Sequence, residues 1–312
     1  MKQTGTVIKG LGGLYDVRLD GGGTAVCRGK GILKKDDGKL LVGDRVEITV
    51  DESGKGETVI EAILTRKNAL IRPPLANVTV MVLTASAVSP LPSLENIDRL
   101  LAVCEYLGVT PFFAVTKTDL DEKAAKDLAS LYERAGYPAF LLDSLTGEGT
   151  DTLKSALAQA LKDGGIAAFA GASGVGKSTL LTALFPELAL ATGSISEKTR
   201  RGKHTTRSVE LFPYEGGYVA DTPGFSLLDF ERFDFLPFEA LASSFRDFAP
   251  YVGECRYDDC THLKEEGCAV LGAVREGKLA ASRHESYKAL YPILKAKASY
   301  EARKNVREKK ND

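Results

Sequence analysis

The stretch Gly171-Ala172-Ser173-Gly174-Val175-Gly176-Lys177-Ser178 constrains this chain more than any other, because it reads G-x-x-x-x-G-K-S. The apolar run Ile166–Ala170 precedes it, and Thr179–Leu184 follows it. Strand, glycine loop and helix in that order are the context a polyphosphate-binding loop requires. The glycines let the backbone wrap an anion so that successive N–H groups face its oxygens, and the helix opening near Ser178 and Thr179 adds the positive end of its dipole. On this reading Lys177 meets the β and γ phosphates and the Ser178 hydroxyl is a magnesium ligand.

The bulk properties leave room for several domains. The chain has 312 residues, enough for two or three cores. A hydrophobic content of 44% with 27% charged residues is that of soluble globular protein. The formal net charge of −1 supplies no global attraction to nucleic acid, so any such binding must come from local patches. No apolar run reaches the length of a membrane span, and the start at Met1-Lys2-Gln3 opens no signal-peptide core. Five cysteines, three of them between 255 and 268, suit a reducing compartment and a metal site rather than a disulfide framework. A cytoplasmic, monomeric protein without membrane contact is expected.

Residues 1–64 read as an all-β domain. Alternating runs at Thr4–Ile8, Leu14–Leu19, Thr24–Arg28, Asp44–Val50 and Glu57–Leu64 are separated by glycine-rich turns such as Gly21-Gly22-Gly23. Five short strands suit a barrel of the OB type, which often binds oligonucleotides. The cluster Arg28, Lys30, Lys34 and Lys35 is then either an RNA contact or a solvated loop.

After a linker at about 65–75 the period changes. Strands at Val78–Thr84, Phe112–Val115, Ala139–Leu142 and Ile166–Ala170 alternate with helices at Ser93–Leu107, Asp121–Ala135 and Thr150–Leu161. That alternation predicts a parallel α/β sheet over 65–230, with its ligand at the carboxyl ends of the strands. Thr116-Lys117-Thr118-Asp119 sits at such a strand end and resembles the N-K-x-D element with which GTPases read guanine. The Asp119 carboxylate accepts from N1–H and the exocyclic amine, and the Lys117 stem covers the base. Thr116 stands in the place of Asn, which argues for reduced guanine affinity. Ser144-Leu145, within Asp143–Gly147 on the next strand end, resembles the second base-side loop.

The polar stretch from Gly193 to Arg207 resembles a switch I segment, in which Thr205 or Thr206 closes on magnesium and the γ-phosphate. Asp221-Thr222-Pro223-Gly224 is a D-x-x-G element, with Asp221 holding magnesium through water and the Gly224 N–H meeting the γ-phosphate. In Ras-like GTPases the phosphate loop comes first. Here guanine reading precedes it, which is a circular permutation.

Residues 231–312 read as a mostly α module built on Cys255, Cys260, His262 and Cys268, spaced C-x₄-C-x-H-x₅-C. Three thiolates and one imidazole make a closed tetrahedral zinc set with no position open for catalysis. A basic helical tail carries Lys295, Lys297, Arg303, Lys304, Arg307, Lys309 and Lys310, suited to phosphate backbone, and Pro292 should kink it or begin a new segment.

With these parts in order, the chain resembles the ribosome-small-subunit-dependent GTPases of bacteria over nearly its whole length. Arg201-Gly202-Lys203-His204-Thr205-Thr206 and Asp221-Thr222-Pro223-Gly224-Phe225 are included in the match. The resemblance implies hydrolysis of GTP with Mg²⁺, stimulated by the small (30S) ribosomal subunit, binding to its 16S rRNA late in maturation, and departure after hydrolysis. Phe225 occupies the place of the water-orienting Gln of Ras-like enzymes, so a slow intrinsic rate is expected, with His204 either positioning the attacking water or capping its loop. The rival readings are a non-catalytic RNA-binding assembly factor that uses GTP or GDP only as a conformational ligand, and an ATP-dependent kinase or transporter subunit, which Asp119 disfavours.

Overall fold

The computed structural model describes residues 2–29, 39–49, 58–186, 209–221 and 235–308. Lys30, Lys34, Lys35, Lys309 and Lys310 of the predicted basic patches lie outside the described residues, and the side chains of Arg303, Lys304 and Arg307 are not described.

Five strands, β1 (Lys2–Leu11), β2 (Leu14–Leu19), β3 (Thr24–Gly29), β4 (Arg45–Thr49) and β5 (Val59–Ile63), form the N-terminal barrel. β1 pairs antiparallel with both β2 and β4, β3 runs parallel to β5, and β4–β5 closes the ring. Its interior is small and aliphatic, with Val7, Val17, Val46, Ile48 and Ile60 fully buried by alternate positions of the strands. β1 is longer than its sequence pattern suggests. A register shift between Val7 and Lys9 bends it out of the barrel, and there Lys9 pairs with Glu210 of the central sheet. Their side chains form an ion pair at 2.8 Å.

The stretch expected to be a linker is packed. It carries two short strands, β6 (Ala69–Leu70) and β7 (Leu75–Ala76). The Asn68 carboxamide donates to the Val78 carbonyl and accepts from the Val78 N–H, both at 2.9 Å. Arg66 reaches back to the barrel, where its guanidinium donates at 2.6 and 2.8 Å to Asp44, a carboxylate with 0% exposure. Burying a carboxylate is costly unless its oxygens meet donors such as this guanidinium fork.

The central domain alternates β8 (Val80–Ser86), α1 (Leu94–Leu107), β9 (Thr110–Thr116), α2 (Glu122–Arg134), β10 (Ala139–Leu142), α3 (Thr150–Leu161), β11 (Ile166–Ala170) and α4 (Lys177–Leu184), followed by the hairpin β12 (Glu210–Tyr214) and β13 (Gly217–Asp221). The sheet order is β10-β9-β8-β11-β13-β12, parallel except at β12. β8 and β11 are buried along their whole length because helices cover both faces, which is why they read as unbroken apolar runs. Local chemistry fixes the helix ends: the Ser93 hydroxyl caps α1 through the Asn96 N–H, the Asp121 carboxylate caps α2 through Ala124, and Gly108 closes α1 in the left-handed conformation.

The C-terminal region is helical, with α5 (Ala269–Arg275) and the long α6 (Ala281–Glu308). No new segment begins at Pro292; α6 runs through it. Tyr287, Leu290, Tyr291 and Leu294 on either side are buried against the core, and that packing outweighs the one backbone bond that proline removes. α6 docks on α1 through a buried charge network. Arg283, with 1% side-chain exposure, donates to Asp247 at 3.1 and 2.7 Å and to Asp98 of α1 at 2.7 Å, and the Tyr132 hydroxyl also donates to Asp98 at 3.1 Å. Burial works against the charge on Arg283, and the two carboxylates outweigh it, raising its pKa. Nearby, Arg246 donates to the Gly136 carbonyl at 2.7 Å and pairs with Glu105 at 2.8 Å.

Removing Arg283 strands two carboxylates in this interface. Arg283→Ala is expected to cost about 3–5 kcal/mol in urea denaturation, and Arg283→Lys, which has no planar fork, should recover only a minor part of it.

Candidate functional site

The glycine loop sits where parallel pairing places it, between the carboxyl end of β11 and the start of α4 at Lys177. Gly176, at φ +91°, turns the chain into the helix. At Gly171 a Cβ would lie 2.5 Å from the Thr84 carbonyl, so the first glycine is demanded by contact with β8. Val175 is buried and anchors the loop, while Ala172, Ser173, Gly174, Ser178 and Thr179 are exposed and Gly176 and Lys177 half-buried.

The Thr116–Asp119 element is brought directly to this loop. Thr116 ends β9, two strands from β11, and its hydroxyl lies 2.5 Å from the Val175 carbonyl and 3.1 Å from that of Ala85. A hydroxyl has one hydrogen, and the shorter contact takes it. Thr116, standing in the place of Asn, thus ties the end of β9 directly to the glycine loop with a smaller side chain. The Lys117 ammonium donates to the Gly174 carbonyl at 2.9 Å and to the Ser89 carbonyl at 2.7 Å. Lys117 itself takes φ +57°, a conformation costly for a side-chain residue and maintained here by those two bonds. Thr118 is half-buried, and the Asp119 carboxylate is left exposed at the mouth.

The Ser144-Leu145 loop leaves β10 at the same edge, because Leu142 registers with Thr116. Asp143 shapes it by accepting from the Thr146 hydroxyl at 2.7 Å and the Leu145 N–H at 2.8 Å, and these bonds lower its pKa. Leu145 is 83% exposed at the tip. The Ser144 hydroxyl is buried with no hydrogen-bond partner among the described residues. Sequence reasoning missed the Ser89 carbonyl, which carries no side-chain signal. His204, Thr205, Thr206 and Gly224 lie outside the described residues, and Asp221 is described only as the backbone end of β13.

The four ligand atoms of Cys255, Cys260, His262 and Cys268 lie within 4.8 Å of one another. The Cys255 and Cys268 sulfurs are 3.9 Å apart, and His262 Nδ1 is 3.5 and 3.6 Å from them. Tetrahedral zinc with bonds of about 2.3 Å to sulfur and about 2.0 Å to nitrogen has edges of about 3.8 and 3.5 Å, so this donor set fits that ion. Desolvation, together with the neighbouring thiols, pushes the Cys260 thiol up to about 12, a cost that a bound dication relieves. Glu265, which the sequence pattern did not single out, organises the loop. Burial opposes its charge, and donation from the Thr261 hydroxyl and from the N–H groups of Thr261, Leu263 and Lys264 outweighs that, holding it at about 2. From α6, the Tyr287 hydroxyl meets the Thr261 carbonyl and His284 Nε2 the His262 carbonyl, at 3.0 and 2.7 Å.

Known proteins share this arrangement. The family model for the RsgA GTPase matches residues 63–231, and that for the RsgA N-terminal domain matches residues 4–58. The chain belongs to the RsgA GTPase family. It is 40% identical over 298 residues to a protein of Alkaliphilus metalliredigens called small ribosomal subunit biogenesis GTPase RsgA, covering 95% of this chain and 99% of that relative. A protein of the same name from Geobacillus thermodenitrificans is 42% identical over 287 residues, covering 91% and 94%. Among solved structures, YjeQ from Thermotoga maritima aligns with a TM-score of 0.78 at 32% identity over 94% of this chain and 99% of its own. YloQ, described as a circularly permuted GTPase, aligns with a TM-score of 0.75 at 32% identity, covering 95% and 96%.

Thr116→Val keeps the shape of the side chain and removes the hydroxyl, leaving the buried Val175 carbonyl unpaired. An unsatisfied acceptor of that kind costs about 1–3 kcal/mol, so GDP affinity should fall by about tenfold in a fluorescent-nucleotide titration, while Thr116→Asn should retain it.

Proposed function

We propose that this protein hydrolyses GTP as an assembly factor of the small (30S) ribosomal subunit, binding it and its 16S rRNA late in maturation and leaving after hydrolysis. The observation that carries the reading is the double tie of Thr116 and Lys117 to the Val175 and Gly174 carbonyls, which makes a base-reading element and a phosphate loop one rigid cradle. In this reading Asp119 selects guanine, with the Ser144-Leu145 loop on the other side of the base. Gly171 to Thr179 hold the phosphates through backbone N–H groups, and Lys177 neutralises charge on the β and γ positions. Ser178, Asp221 and one of Thr205 and Thr206 would hold Mg²⁺, which supplies charge neutralisation at the transferred phosphoryl group. Gly224 meets the γ-phosphate, and His204 orients the attacking water.

Phe225 supplies no hydrogen bond to that water, so the isolated protein turns over slowly and its partner completes the site. Cys255, Cys260, His262 and Cys268 hold one structural Zn²⁺ that keeps the C-terminal module folded. The protein works as a monomer in the cytoplasm; no helix among the described residues is long and apolar enough to cross a membrane.

GTP turnover measured with and without purified small subunits tests the assignment. A rise of several orders of magnitude, with multiple turnovers and no competition from ATP, is expected; a flat rate overturns it. His204→Ala should lower the stimulated rate by about a hundredfold, and a wild-type rate removes that residue from the mechanism.

Metal analysis should return one equivalent of zinc. Chelation under denaturant-free conditions should melt the region around α5 and the Cys255–Cys268 loop, seen as proteolytic cleavage there, and zinc should restore protection.

A further inference from the structure

A second concave site lies away from the phosphate loop, where the barrel, the packed connection and the central sheet meet. Its volume is about 640 Å³, within the range of small-ligand sites, which gather at domain junctions. Its floor is formed by the amino ends of the sheet strands, including Ile166 at the start of β11, whereas the phosphate loop follows Ala170 at the other end. Occupants of the two sites do not contest one space.

The walls are preformed. The backbone at Gly43 packs so closely on the connection that a Cβ there would lie 2.2 Å from the Ala76 carbonyl, and the Asn77 carboxamide donates to the Gly43 carbonyl at 2.9 Å. The Arg66–Asp44 pair fastens the same two segments.

The ionic lining is three cations, Arg18, Arg45 and Lys67, and two carboxylates, Asp20 and Asp163. Arg45 and Asp20 neutralise one another through two bonds of 2.6 and 2.5 Å, and the Arg45 guanidinium and the Thr4 hydroxyl lower the Asp20 pKa. Among the described residues, no such partner engages the Arg18 guanidinium, the Lys67 ammonium or the Asp163 carboxylate. The cleft therefore carries two open cations against one open carboxylate, a surplus of one positive charge. Tyr218, near the amino end of β13, is also among the lining residues.

We propose that this cleft receives one splayed-out nucleotide of single-stranded RNA, its phosphodiester on Arg18 and Lys67 and its base against Tyr218. The proposal rests on the reading that the protein binds RNA. A phosphodiester carries one negative charge and matches the surplus, whereas the phosphate of a free mononucleotide carries close to two. Stacking on an aromatic ring with cations on the backbone is the general mode of single-strand recognition. The Asp163 and Thr65 side chains offer acceptors to base amines and the ribose hydroxyl.

Fluorescence anisotropy of a short oligouridylate and a short oligoadenylate with the full chain tests this. Arg18→Gln combined with Lys67→Gln removes exposed groups outside the cores, and GDP binding measured in parallel reports that the fold is intact. The double variant should bind RNA about tenfold or more weakly, with the slope of log affinity against log salt reduced by about 0.7 for the one phosphate no longer neutralised. Tyr218→Leu should weaken binding by about fivefold or more, and Tyr218→Phe should retain it. Wild-type affinity and slope in the double variant overturn the cleft assignment alone. Uridine monophosphate competing as well as the oligomer identifies a free-nucleotide site and overturns it too. Loss of small-subunit binding with RNA binding unchanged identifies a protein partner and likewise overturns it. If the wild-type chain binds neither oligomer, the RNA reading fails together with the cleft.

Discussion

Everything at the nucleotide end of this molecule depends on one contact between the end of β9 and the glycine loop that follows β11, the Thr116 hydroxyl on the Val175 carbonyl. It exists because β9, β8 and β11 run parallel and in register, Ser86 facing Thr116 and Leu83 facing Ala170. Parallel strands deliver their carboxyl ends to one edge, so loops far apart in the chain meet there without any long connection. Lys117 adds a second tie to the same loop. Two bonds to main-chain carbonyls fix a loop whose glycines would otherwise leave it many conformations. Cutting the fold at a different place in the sequence leaves this edge intact, since no element of it relies on which strand comes first.

The three parts of the chain are joined by buried charge rather than by apolar surface alone. Asp44 with Arg66 joins the barrel to the connection, and Arg283 with Asp98 and Asp247 joins the C-terminal module to α1. Such pairs contribute little net stability, because desolvation of both ions offsets most of their attraction. Their effect is on geometry: a planar guanidinium accepts carboxylates only in its own plane and at fixed separations. α1 has one end beside the glycine loop, with Ser93 and Asn96 close to Gly171 and Val175, and its middle bonded to α6. A single helix therefore touches both the glycine loop and the C-terminal module.

Much of the site was legible without coordinates, for chemical reasons. The phosphate loop needs glycines and a lysine at fixed spacing, and the metal set needs four soft or imidazole donors within a few residues. These are local demands that sequence records directly. Strand and helix periods were legible too, since β8, β9 and β11 have both faces buried and α2 only one. Two features were illegible. The Ser89 and Val175 carbonyls are acceptors that every residue carries, so no residue type marks them. The 65–75 stretch reads as a linker because Arg66, Lys67, Arg72 and two prolines look solvated, and only the buried Asp44, 22 residues upstream of Arg66, shows otherwise.

The sequence by itself determined a glycine loop of the polyphosphate-binding pattern, four donors at metal-ligand spacing, and a T-K-T-D element resembling the guanine-reading one, placed ahead of the glycine loop. Spacing along the chain suffices for the glycine loop and the metal donors, because each is built from neighbours. Tertiary structure alone decided that Thr116 takes the bracing place of an asparagine, that Arg283 is buried between two acids from different domains, and that Arg18, Lys67 and Tyr218 share one cleft. Those outcomes depend on distances between residues tens to hundreds of positions apart, which the closing of the barrel and the register of the sheet set.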